Sequence, residues 1–68
     1  MLKLTNKEKE VLLLVGEYKT SKEIARLLNL SPRTIQTYLD NVYFKLDVRG
    51  SGARHKAYAL AYEKNLLD

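Results

Sequence analysis

Residues 20–48 read TSKEIARLLNLSPRTIQTYLDNVYFKLDV, and the reading of this stretch decides the fold. Thr20 and Glu23 stand at capping-box spacing, so the Thr20 side chain can accept the N–H three residues on while Glu23 reaches back to the N–H of Thr20. A helix is expected over 21–28, with Ile24, Ala25, Leu27 and Leu28 as its buried face and Lys22 and Arg26 outside it. Asn29 sits where a left-handed residue would end that helix. Ser31 is a strong N-cap, and Pro32 at the first helical position sacrifices only an N–H that has no helical partner. A second helix is therefore expected over 32–46. Its apolar residues Ile35, Leu39, Val42 and Leu46 step by four, three and four, leaving Arg33, Gln36, Thr37, Asp40 and Asn41 on other faces. Two helices joined by so short a turn meet at a sharp corner, which is what presents one helix to a DNA groove.

The same signals recur on both sides. Thr5 and Glu8 form another capping box, predicting a helix over 6–17 with Val11, Leu12, Leu14 and Val15 as its stripe and Leu4 stapling the entry. After Val48, the connection Arg49-Gly50-Ser51-Gly52 offers Ser51 as a cap for a fourth helix over 53–65. Ala53, Ala57, Leu60, Ala61 and Leu67 can face inward there, with Tyr58 and Tyr62 forming an aromatic ridge four residues apart. No strand-like alternation competes, and no repeat, low-complexity run or linker divides the chain. The expectation is a single all-α domain of four helices over residues 1–68.

Composition narrows the function. A 68-residue chain builds a core worth only about 3–5 kcal/mol, so a partner that binds the folded state would add stability. With no cysteine and one histidine, His55, neither a disulfide nor a thiolate metal site can form, and no metal or cofactor is expected. No apolar run is long enough to span a bilayer and no signal-peptide pattern is present, so the chain reads as soluble and intracellular, with no membrane partner. Ser21, Ser31 and Ser51 lack any nucleophile context with His55, so no catalytic residues are expected and an enzyme is disfavoured. Gly50-x-Gly52 reads as a hinge rather than a phosphate-binding turn.

The net charge of +4 favours a polyanionic partner. Its distribution is uneven: residues 1–16 carry +1, 17–30 carry +1, 31–47 carry zero and 48–68 carry +2. The groove-reading helix is thus neutral, and attraction to phosphate must come mainly from its flanks.

These elements in this order resemble the LuxR/GerE-type helix-turn-helix domain of bacterial response regulators and small free-standing regulators. Leu4-Thr5, Lys7-Glu8-Lys9-Glu10-Val11-Leu12, Thr20-x-Lys22-Glu23-Ile24-Ala25, Leu28-x-Leu30-Ser31-x-x-Thr34-Ile35, Lys45-Leu46-x-Val48 and Ala57 through Leu66-Leu67 stand at that family's spacing. The resemblance implies major-groove base contacts by Gln36, Thr37 and Asp40, with Arg33 serving a base or a phosphate. It implies phosphate contacts by Thr20, Ser21, Lys22, Thr34, Tyr38, Asn41 and Lys45. Gln36 suits adenine, Thr37 a thymine methyl or polar base edge, and Asp40 the cytosine amino group. The fourth helix is the family's usual dimer contact, here through Ala57, Tyr58, Ala61 and Tyr62. Three departures stand out: Tyr18, Asp47 and Asn65 occupy positions usually held by glycine.

What the resemblance implies is a bacterial or phage-type transcriptional regulator of double-stranded DNA, cytoplasmic, homodimeric, with RNA polymerase or another regulator as a further partner. Because the motif begins directly after Met1, no receiver or sensing domain is expected. Two alternatives remain at this level. Region 4 of sigma factors shares the capped helices and contacts promoter and polymerase, but does not account for the helix from Ala57 to Leu67. A protein-binding helical module would use the neutral third helix and the Tyr58/Tyr62 ridge, and its binding would depend little on salt.

Overall fold

The computed structural model describes residues 3–67. Four helices appear at the expected positions: α1 Asn6–Gly16, α2 Ser21–Leu28, α3 Pro32–Leu46 and α4 Ala53–Glu63. No strand occurs among the described residues. The starts follow from local side-chain chemistry. Thr5 N–H donates to Glu8 Oε1 at 2.8 Å and Glu8 N–H to Thr5 Oγ1 at 3.2 Å. Thr20 and Glu23 repeat the exchange at 2.8 and 3.1 Å. Ser31 Oγ accepts the Thr34 N–H at 3.1 Å, with Pro32 as the first residue of α3.

The helix ends share one device. Tyr18, Asn29, Asp47 and Asn65 all have left-handed backbone, with φ of 62°, 58°, 55° and 57°. In each case the next N–H turns back to a carbonyl five residues earlier: Lys19 to Leu14, Leu30 to Ala25, Val48 to Tyr43 and Leu66 to Ala61. This closes the last turn in the Schellman manner, and at Leu30, Val48 and Leu66 the following apolar side chain packs on the core, as that motif favours. The first corner lacks that anchor, because Lys19 takes the corresponding place.

Helix α1 stops at Gly16 and α4 at Glu63, within two residues of the approximate limits of 17 and 65, because the left-handed residues claim the last turns. Two expectations are corrected. Ser51 does not cap α4; Gly52 does, at φ 76°, with no side-chain bond to the helix start. Leu27 is 60% exposed rather than buried. At about 100° per residue, Ile24, Ala25 and Leu28 share one face and Leu27 falls beside it.

The core comprises Leu4, Val11, Leu12, Val15, Ile24, Ala25, Ile35, Leu39, Val42, Ala57 and Ala61. Helix α3 packs on all three others, and α4 lies across α1 and α3. Ala57 and Ala61 are fully buried there, their small side chains letting the helices approach. Gly16 completes the contact: the Tyr58 ring occupies the space that any Cβ at Gly16 would need.

Candidate nucleic-acid interface

Burying Ile35, Leu39 and Val42 turns the opposite side of α3 outward. Arg33, Gln36, Thr37, Asp40 and Asn41 are all exposed on it, so the expected base-reading residues share one helix and one accessible side. Gln36 Nε2 donates to Asp40 Oδ1 at 2.9 Å, one turn apart. That bond holds the Gln36 amide along the helix face while its carbonyl oxygen and second N–H stay available. Thr37 Oγ1 donates to the Arg33 carbonyl at 3.2 Å.

The flanks carry most of the groups expected to meet phosphate. At the start of α2 the capping box occupies the N–H groups of Thr20 and Glu23, leaving those of Ser21 and Lys22 as the unpaired donors of a helix start. The Thr20 backbone N–H and hydroxyl hold the Glu23 carboxyl below its ordinary pKa, so the cap stays ionised and bonded at neutral pH. Lys22 and Arg33 are exposed and, among the described residues, make no ion pair. Thr34 bonds Ser31 through its hydroxyl at 2.9 Å, and the Tyr38 ring rests on the core.

Two expected contact groups are placed elsewhere. Lys45 Nζ lies 2.7 Å from Glu8 Oε1 and 3.0 Å from the Lys3 carbonyl oxygen, with its side chain 20% exposed and that of Glu8 4%. Burial alone would raise the Glu8 pKa, but the Lys45 hydrogen bond, the Thr5 N–H and the Lys45 charge together lower it. The Lys45 ammonium is therefore spent inside the protein. Ala57 and Ala61 have no exposed surface to offer a second chain, and Tyr58 leans on Gly16; of the four expected dimer residues only Tyr62 is largely exposed, at 69%, with its ring 6.2 Å from that of Tyr58.

Arg54 was not anticipated. From α4 its Nη2 donates to Ser21 Oγ at 2.6 Å, tying α4 to the start of α2. Burial raises the Tyr43 pKa, with Arg54 opposing. Ser21 and Arg54 stand 33 residues apart, so no local spacing could have announced the bond. No group of three or more potential metal ligands occurs among the described residues, and none of their helices is long and apolar enough to cross a membrane.

Comparison with known proteins agrees with this architecture. The family model of bacterial regulatory proteins, luxR family, matches residues 2–57. The response regulatory protein YgeK of Escherichia coli is 51% identical over 45 residues, covering 66% of this chain and 31% of YgeK. The transcriptional regulatory protein LiaR of Bacillus subtilis is 37% identical over 65 residues, covering 96% of this chain and 29% of LiaR. The response regulator protein VraR of Staphylococcus aureus is 33% identical over 64 residues, 94% of this chain and 29% of VraR. The chain thus spans about a third of the length of these curated relatives. No solved structure matches it significantly.

Proposed function

Since this chain belongs to the luxR family of bacterial regulatory proteins, we propose that it binds duplex DNA sequence-specifically to regulate transcription, with α3 in the major groove. The observation that carries the reading is the outward side of α3, where Arg33, Gln36, Thr37 and Asp40 are exposed together on a helix braced by α1, α2 and α4. Gln36 reads adenine through the amide that Asp40 orients, and Thr37 meets a thymine methyl or polar base edge. Asp40 serves mainly through Gln36, since a carboxylate facing the groove repels phosphate.

Phosphates are held by Lys22, the N–H groups at the start of α2, the hydroxyls of Thr20 and Thr34, Asn41, and Arg33 where it does not reach a base. Lys45 leaves this set because Glu8 holds it. A homodimer through the exposed edge of α4, with Tyr62 at its centre and Tyr58 beside it, would set two α3 helices in successive major grooves about 34 Å apart.

One experiment tests the reading: selection of bound duplexes from a random pool, followed by salt titration on the winner. Each phosphate contact contributes about 0.9 to the slope of log affinity against log salt. A selected motif bound with a steep slope is expected. Binding that ignores both sequence and salt would overturn the proposal in favour of a protein partner.

A further inference from the structure

Phe44 is 80% exposed on α3 and belongs to neither the core nor any aromatic pair among the described residues. Its position on the helix is informative. Arg33, Thr37, Asp40 and Phe44 step by four, three and four, the same step as the core-facing line Ile35, Leu39, Val42 and the partly buried Leu46 but two residues out of phase. At about 100° per residue that offset places the first line on the opposite side of the helix from the core. Phe44 therefore continues the line of exposed polar residues rather than flanking it.

We infer that Phe44 is a further specificity-determining residue, an apolar reader of a thymine methyl at the C-terminal end of α3. The inference rests on the DNA reading proposed above and extends it to a base pair that the polar residues do not reach. Seven residues separate Phe44 from Thr37, about 10 Å along the helix axis, or about three base-pair steps. An aromatic ring in the major groove has the C5 methyl of thymine as its natural partner, because that group is the one apolar feature among the base edges there.

The surroundings favour DNA over a protein partner. Of the positions one turn from Phe44, Asp40, Asn41 and Asp47 are exposed and polar, while Val48 is half-buried and packs on the core, so the exposed neighbours along the helix are not the apolar set that a protein-docking anchor would require. Both carboxylates are already engaged, Asp40 by the Gln36 amide and Asp47 by Arg49 at 3.2 Å, which lessens their repulsion of the DNA backbone.

The test pairs F44A with duplexes in which each thymine of the selected site is replaced in turn by deoxyuridine, removing only the methyl. At one thymine, about three base pairs from the pair met by Thr37, the wild-type chain should lose about fourfold in affinity, the worth of burying a methyl group. F44A should be weaker on the parent duplex, show no further loss at that position, and keep its helical circular dichroism and its affinity for random duplexes. If F44A retains the wild-type response at every thymine, Phe44 is not a reader. A change in self-association without a change in methyl response would assign it to a protein contact instead and equally overturn the inference. Failure of the wild-type chain to select any duplex would defeat the DNA reading itself, a different outcome from a selected site on which both proteins respond alike.

Discussion

Lys45 and Glu8 form an ion pair of 2.7 Å that joins the last turn of α3 to the first turn of α1, 37 residues apart in sequence. Glu8 also completes the capping box with Thr5, so one carboxylate starts α1 and anchors α3. Removing either partner leaves the other charge in a largely enclosed place. Because Lys45 retains 20% exposure and can extend toward water, the loss for Glu8→Gln or Lys45→Met should be about 1–3 kcal/mol, below the range for fully buried pairs. Thermal or urea unfolding measures it. If Lys45 is held as described, Lys45→Met weakens folding while leaving the salt slope of DNA binding unchanged; a slope reduced by about 0.9 would mean that it contacts phosphate.

Acid should expose the same pair. The folded-state pKa of Glu8 lies below its ordinary value of 4.5, so its stabilising contribution is complete above about pH 4.5 and is lost as pH falls through the lowered folded value. The Glu8→Gln variant should therefore lose less stability than the parent between about pH 5 and pH 3, a difference read directly from unfolding curves across that window.

Gly16→Ala should destabilise the domain by about 1–3 kcal/mol, because the new methyl group meets the Tyr58 ring and forces α1 and α4 apart. Tyr58→Ala removes the obstacle. The double variant should be less destabilised than the two single losses combined, and additive losses would show that the ring does not occupy that space.

Tyr18 adopts left-handed backbone at φ 62° and is 80% exposed, with its ring 5.1 Å from that of His55. Asparagine accepts this backbone more readily than tyrosine does. Tyr18→Asn should raise stability by about 0.5–1 kcal/mol, the relieved strain exceeding the lost ring contact. A lower melting temperature would mean that the His55 contact outweighs the strain.

Gln36→Ala should cost about 1–3 kcal/mol on the selected duplex and little on random DNA, relaxing preference at one base pair. Asp40→Ala should blur the preference at that same pair, since it releases the Gln36 amide. The two effects should be non-additive in a double-mutant cycle, whereas independent losses at two different base pairs would give Asp40 a base contact of its own.

What the sequence by itself determined is local. Thr5, Thr20 and Ser31 announce three helix starts, and Asn29 one helix end, because each acts on backbone groups within a few residues. The four-three-four stripe of α3 likewise names its own outward face, so Arg33, Gln36, Thr37 and Asp40 were legible as an exposed set. Phe44 was legible by the same count, although its apolar character draws attention toward the core instead. Only the tertiary structure decided which charges and small residues turn inward. A lysine on a helix reads alike whether it meets phosphate or Glu8, and the alanines at 57 and 61 read alike for a dimer or for α1. Those outcomes depend on partners that spacing along one helix cannot reveal: Glu8 lies 37 residues from Lys45, and Ser21 lies 33 from Arg54.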